Sequence, residues 1–382
     1  MCRRKSQKLK SRERVHSRVE TNVYLTGIDE KLEEIMRFEL TPKLNNIIKF
    51  TSLGLGISLV SACNDSSNHP VPPHAETSTA TCSVTDAPVD AVDGVKLTLN
   101  RLELNHADGD IIKLNFSEPV VIPNLLNLTG NIATPIISDA TIPAGNYQWI
   151  RLFIEGGYPD STVSPKLGNE ADLFIPGQQN TSNVEQSLLL NSGFTAPTGG
   201  EAAFTIDFVL RKALTKPANA DYYLLRPALR LVNDAEVGTI AGTVDSTVIA
   251  SNACSDLSGH SVYLYEGDIN SANQRPEDFY DPSIAADQTN AETEAEVGDT
   301  SDLARPISSA EITQNDSGAY TFKIGFVEAT AAGYSVALTC QSAFDEPDSD
   351  DDINFTNAIP VDVDAGQTSN VRFSVAPNPP SN

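Results

Sequence analysis

The chain has 382 residues, 40% hydrophobic and 20% charged, with 23 Gly and 23 Pro. That length suits about two domains of roughly 150 residues each, and the composition excludes disorder throughout. The formal net charge is −25: residues 1–62 carry 12 Lys+Arg against 7 Asp+Glu, leaving 14 against 44 for the remainder, a body that repels nucleic acid and anionic lipid.

The acidic surplus reads either as a solvated surface suited to salty surroundings or as a binder of calcium or polycations. Residues 1–35 are polar and mixed in charge. Phe50 to Val60 is an uncharged run of eleven residues, too short to span a bilayer and right for the core of a signal peptide. Arg37, Lys43 and Lys49 supply its basic flank, and Leu59-Val60-Ser61-Ala62-Cys63 has the form of a bacterial lipobox. Counted from Met36, the second of two methionines, the signal is 27 residues long, so residues 1–35 are expected to be a mis-assigned leader. The expectation is therefore a signal peptide over 36–62 and a lipid on Cys63. Residues 63–80 then form a flexible linker reaching at most about 60 Å at ~3.3 Å per residue. His69 and His74 lie in it and read as solvated. Asn64 directly after the cysteine points to the outer membrane.

From 81 to 235 the hydrophobic period is two, the mark of half-buried strands. Val95, Leu97 and Leu99 alternate with polar residues, and then Leu102 and Leu104 continue with opposite parity. That change predicts a β-bulge at Asn100-Arg101. Asp108-Gly109 predicts a tight turn, with Ile112, Leu114 and Phe116 on one face of the return strand. Ile142 to Asn146 predicts a turn into a strand with Ile150, Leu152 and Ile154 on one face. Tyr147, Trp149, Arg151 and Phe153 are expected on the other, which is either a second buried face or a sugar-stacking platform. Phe204, Ile206, Phe208 and Leu210 alternate in a further strand. Tyr222 to Val232 reads as a strand broken at Pro227. Asn124–Leu128 and Val184–Leu190 hint at short helices. Many short strands separated by turns argue a sandwich.

The opening Val84-Thr85-Asp86-Ala87-Pro88-Val89, the Ile142-Pro143-Ala144-Gly145-Asn146-Tyr147 turn and the closing Tyr222-Tyr223-Leu224-Leu225-Arg226-Pro227 resemble a bacterial lipoprotein family, domain of unknown function family 4382. The resemblance covers about 80–235. It implies location and fold and carries no activity.

From 236 to 376, Val237-Gly238-Thr239 through Val244 opens a new strand. Tyr320, Phe322, Ile324 and Phe326 share a face, as do Tyr334, Val336, Leu338 and Cys340. The Val361 to Thr368 stretch leads into a last strand with Val371, Phe373 and Val375. This succession resembles the carboxypeptidase-regulatory or transthyretin-like sandwich, which implies a non-catalytic module for packing, adhesion or carbohydrate binding. The expected architecture is thus all-β: two antiparallel β-sandwiches (Ig/transthyretin-like) after a lipoprotein signal and tether.

An insertion over 266–317 has nine acidic residues and no Lys or Arg between Arg275 and Arg305, and reads as a mobile solvated loop. A second acidic run offers Asp345, Asp348, Asp350 and Asp352. It starts with EF-hand spacing and then fails, with Ile353 where Gly is required and Ile359 where Glu should close the loop. An irregular Ca²⁺ site or a plain charged loop both fit. Among Cys82, Cys254 and Cys340 one disulfide is expected, Cys254–Cys340, with a buried Cys340 thiol as the alternative. No cysteine spacing matches zinc.

Common catalytic signatures are missing. Asp86 reads as an Asx-turn residue before Ala-Pro. As a catalytic carboxylate its partners would be Glu155 or Asp207. His106 in a hairpin turn and His260 at a strand start fall in different domains and read as exposed. The leading expectation is a non-enzymatic binding or structural lipoprotein of the cell envelope. Its partners would be the membrane through its lipid and an envelope protein, an extracellular carbohydrate polymer or cations. The alternative is a carboxylate-based polysaccharide hydrolase.

Overall fold

The computed structural model describes residues 76–179, 185–251, 259–280 and 302–374. The signal segment, Cys63, the linker histidines and Cys254 lie outside the described residues.

The strands in chain order are β1 (Thr77–Ala87), β2 (Val92–His106), β3 (Ile111–Ile122), β4 (Thr134–Pro143), β5 (Gly145–Glu155), β6 (Thr162–Pro165), β7 (Ala171–Phe174), β8 (Glu185–Leu190), β9 (Phe194–Ala196), β10 (Glu201–Val209), β11 (Leu214–Thr215), β12 (Tyr222–Leu225) and β13 (Leu229–Asn233). There follow β14 (Val237–Val244), β15 (Ser261–Glu266), β16 (Arg275–Pro276), β17 (Leu303–Ala304), β18 (Ser308–Glu311), β19 (Thr313–Gln314), β20 (Tyr320–Glu328), β21 (Tyr334–Thr339), β22 (Ile359–Val361) and β23 (Thr368–Phe373). The α-helices described are short, α1 (Leu210–Ala213) and α2 (Ser246–Ser251). The protein is all-β.

The first thirteen strands make a four-stranded sheet, β13-β10-β1-β4, facing a nine-stranded one, β11-β12-β7-β6-β2-β5-β8 with β3 on β2 and β9 on β5. One hydrophobic core fills the space between them. The remaining strands form sheets β19-β20-β14-β23 and β18-β15-β21-β22 around a second core. Pairing is mainly antiparallel, with four parallel pairs among the described strands. Parallel neighbours need a crossover rather than a hairpin. Between β1 and β10 the chain makes that crossover through the opposite sheet.

The bulge falls where parity predicts it. Pairing of β2 with β3 and with β5 slips between Leu99 and Arg101. Leu97, Leu99, Leu102 and Leu104 are all fully buried as a result, each contributing roughly 1.5–3 kcal/mol of burial. Gly109 takes φ +101 at the hairpin tip. Ile112, Leu114 and Phe116 pack on the core. Asn124 caps the 3-10 turn Leu125–Asn127, its side chain accepting from the Leu126 N–H. Pro227 separates β12 from β13, which lie in opposite sheets.

Four expectations need correction. The stretch ending at Leu190 is strand β8, because Gln186, Leu188 and Leu190 alternate inward against β5. Tyr147 leaves the face of Trp149 and Arg151: the β2–β5 register slips between Asn105 and His106, and Tyr147 turns into the core, stacked on Phe194 at 4.7 Å with its hydroxyl donating to Pro143 O. In β20, a register shift and a left-handed Phe326 (φ +52) bury Val327 in place of Phe326. The described ends of the acidic insertion are packed rather than solvated. Ile269, Phe279 and Ala304 join Tyr263, Tyr265 and Ala337 in a third cluster on the outer face of the β15–β21 sheet. Aromatic residues on that face supply apolar area that the insertion covers.

Candidate functional site

The two sandwiches meet through α1 and the β1–β2 connection. Arg211 on α1 is 2% exposed. Its Nη1 donates to Ser342 O at 2.6 Å and its Nη2 to Asp90 Oδ2 at 2.9 Å. Ser342 Oγ donates to the same Asp90 oxygen at 2.7 Å. Burial works against the Asp90 charge, but Arg211 and Ser342 outweigh it and hold the carboxyl below its usual range. Asn131 and Thr239 exchange side-chain hydrogen bonds across the same junction. Gly325 has no room for a Cβ because it lies against the carbonyl oxygen of Gly130.

Beside these contacts the sandwiches leave an open groove of about 960 Å³. The β1–β2 and β3–β4 connections form one wall, with Val89, Asn131 and Ile132. Strands β14, β18, β20 and β23 form the other, with Phe322 and Lys323; Lys166 also lines it. The lining mixes apolar side chains, amides and charges of both signs, with Asp90, Asp93 and Glu311 beside Lys166, Lys323 and Arg372.

The carboxylates proposed for catalysis do not converge in that groove. Asp86 and Asp207 are buried neighbours at the end of β1 and β10. They border a space of only about 10 Å³, room for no more than a water. Asp86 is not an Asx-turn residue, because β1 runs through it to Ala87. Neither of its oxygens meets a donor at hydrogen-bond geometry among the described residues. Burial, then the neighbouring Asp207, pushes its carboxyl well up. Asp207 is also pushed up by burial, although Arg230 donates to it from Nε and Nη2. Glu155 sits in the other sheet, opposite Glu185.

The histidines also differ from expectation. His106 is paired with Asp108, Nδ1 to Oδ1 2.7 Å. His260 is 1% exposed, with no hydrogen-bond partner for either ring nitrogen among the described residues.

The acidic segments meet. Carboxylate oxygens of Asp278, Asp345 and Asp351 lie within 4.8 Å of one another, and so do those of Glu277, Asp278 and Asp350. Asp278 and Asp345 are buried. Asp278 accepts from the N–H groups of Tyr280 (3.0 Å) and Asp351 (2.7 Å). Asp345 accepts from the Phe279 N–H and the Tyr263 hydroxyl. Burial pushes the Asp278 carboxyl up to about 7 and that of Asp345 up as well. Such an all-oxygen set could hold a hard divalent cation. Of the four aspartates expected there, Asp345 and Asp350 join the set and Asp348 and Asp352 do not. Glu277 and Asp278 were missed because the insertion folds back over a gap of more than 60 residues, and Asp351 because it falls between the positions that EF-hand spacing selects.

Trp149 and Arg151 do share a face, with the Arg151 Cζ 5.0 Å from the Trp149 ring centre. Cys340 is disulfide-bonded, and Cys82 is a free, buried thiol. No helix among the described residues is long and apolar enough to cross a membrane.

Fold and site together define an all-β protein with an open groove between two sandwiches. Residues 77–227 match the family described as domain of unknown function DUF4382. No curated protein matches the chain. Similar solved structures include a leucine-rich repeat protein from Bacteroides thetaiotaomicron, 12% identical over 78% of this chain with a TM-score of 0.17; the chain spans only 27% of that protein. A candidate adhesin from Bacteroides ovatus is 9% identical, over 84% of this chain and 96% of that one, with a TM-score of 0.19. A candidate cell adhesion protein from Bacteroides eggerthii is 11% identical, over 78% and 87%, with a TM-score of 0.16. At these TM-scores the likenesses carry no argument.

Proposed function

We propose that the protein is a non-enzymatic binding lipoprotein of the cell envelope, held through lipidated Cys63 and the 63–80 linker, with the outer membrane as its site. The lipobox sequence supports the anchor. The second sandwich is read as a carboxypeptidase-regulatory-like module, since its four quoted motifs fall on or beside strands β14, β20, β21 and β23. The observation that carries the binding reading is the groove of about 960 Å³ between the sandwiches, which Asp86, Asp207 and Glu155 do not line. Its lining, in which Asp90, Asp93 and Glu311 are balanced by Lys166, Lys323 and Arg372, suits a neutral stretch of an extracellular carbohydrate polymer.

The test is a glycan array probed with the purified chain carrying Cys63→Ser, alongside Ile132→Ala and Asn131→Ala variants, both at exposed positions of the lining. Binding of neutral glycans that falls about tenfold in the variants supports the reading. Hydrolysis of a bound glycan, or no glycan binding at all, overturns it.

A further inference from the structure

The outer face of the sheet β19-β20-β14-β23 forms the floor of the groove. Ile240, Val244, Phe322, Ile324, Val371 and Phe373 turn into the second core, so their neighbours in sequence turn outward. The strand register sets those neighbours in two rows across the sheet. Thr313, Thr321, Thr243 and Arg372 stand opposite one another on four successive strands. Lys323, Ala241 and Asn370 form the next row on three of them. Both rows line the groove. With strands about 4.8 Å apart and about 3.4 Å per residue, the first row is ~14 Å long and the second lies ~7 Å from it. The floor is thus elongated across the strands rather than along them.

The polar groups of the floor are open to a ligand. The hydroxyls of Thr243 and Thr313, the amide of Asn370 and the ammonium of Lys323 have no hydrogen-bond or ion-pair partner among the described residues. Thr321 donates to Thr313 O at 3.5 Å, the outer limit of such a bond. Arg372 is engaged by Asp245, its Nε and Nη2 donating at 3.1 and 2.8 Å, and Asp90 by Arg211. Asp93 and Glu311 then stand against Lys166 and Lys323, so the groove has no surplus charge to select an ion. Val89, Leu126 and the exposed Ile132 line the opposite wall. A hydroxyl or a primary amide both donates and accepts. So does each hydroxyl of a sugar, whose ring also shows an apolar C–H face. Hydroxyls at regular steps on one side and an apolar wall on the other fit a sugar chain lying across the strands. A β-1,4 link keeps such a chain straight, as the row is, whereas an α-1,4 link curves it. An extended peptide would instead pair with a free strand edge, which a sheet face does not offer.

We infer that the groove takes a straight, uncharged, β-1,4-linked glycan laid across β19, β20, β14 and β23, with Thr313, Thr243 and Asn370 hydrogen-bonding its hydroxyls. This rests on the glycan-binding reading of the groove and names the class of polymer. The purified Cys63→Ser chain is titrated with cellohexaose and xylohexaose, which are straight, and with maltohexaose, which has the glucose units of cellohexaose on a curved chain. Binding of cellohexaose, xylohexaose or both is expected, about tenfold or more tighter than that of maltohexaose. Thr243→Val with Asn370→Ala removes two hydrogen-bonding groups at exposed positions and should weaken binding about tenfold. Asn115→Ala, at an exposed position of β3, should leave it unchanged. Circular dichroism and melting confirm that each variant is folded. Maltohexaose bound as tightly as the straight chains overturns the inference, as does affinity unaltered in the folded Thr243/Asn370 variant. If neither straight chain binds while the array yields another neutral glycan sensitive to Ile132→Ala, the inference falls and the groove reading stands. No binding of any glycan overturns both.

Discussion

Arg211 Nη2 donates to Asp90 Oδ2 at 2.9 Å in a contact almost closed to water. The same guanidinium reaches Ser342 O in the second sandwich. A single buried cation thus ties α1, the β1–β2 connection and the segment after β21 together. Removing one partner of a buried pair leaves an uncompensated charge, which costs about 3–5 kcal/mol. Arg211→Met should lower stability by that order in urea unfolding. It should also split the unfolding into two transitions, seen separately by Trp149 fluorescence and by far-ultraviolet circular dichroism.

The acidic cluster sets a pH dependence. Asp278 has its carboxyl pushed up to about 7 by burial, and Asp86, Asp207 and Asp345 are shifted the same way. Above the ordinary carboxyl value of about 4, the unfolded chain releases protons that the folded chain keeps. Stability therefore falls as pH rises from about 4 to about 7, and levels off above that for Asp278. Urea midpoints at pH 5 should exceed those at pH 8. Asp278→Asn should flatten the slope, and an unchanged slope would show that Asp278 is not the responsible group.

Calcium should reverse that loss at neutral pH, because a bound cation favours the ionised carboxylates of Asp278, Asp345 and Asp351. A ligand at about 100 times its dissociation constant stabilises by roughly 2.7 kcal/mol. Millimolar Ca²⁺ at pH 7.5 is expected to raise the melting temperature, and Asp345→Asn to abolish the rise. An identical melt with chelator and with calcium would leave the cluster as a protonated structural network.

Gly325 and Gly130 approach through their backbones, so Gly325→Ala forces the junction apart. The expected cost is about 1–3 kcal/mol, in the range of overpacked interiors. Hydrogen exchange should quicken in β20 and in the loop before β4, with β5 unaffected.

Cys82 is fully buried on β1, and burial pushes its thiol well up. Thiol reagents should leave it unmodified in the folded protein and label it at once in denaturant. Labelling of the native chain at Cys82 would mean that β1 is not sealed between its neighbours.

Local alternation made most strands legible, and even the β2 bulge, because a switch of parity at Asn100-Arg101 has one economical geometric cause. Tyr147 and Phe326 were not legible. Each follows a register slip against a partner strand, and the partner's pairing is not written in the residues around it. The acidic insertion misled for a related reason. Charge composition predicts solvation, yet Phe279 and Tyr280 within it find an aromatic sheet face to cover.

The sequence alone determined the all-β class, the bulge at Asn100-Arg101, the turn at Asp108-Gly109 and the break at Pro227, since these depend on neighbours a few residues apart. Tertiary structure alone decided that Asp278 meets Asp345 and Asp351, and that Arg211 joins two sandwiches. Those contacts join segments tens to more than a hundred residues apart. Burial then sets their charge and their chemistry, and burial belongs to the assembled fold.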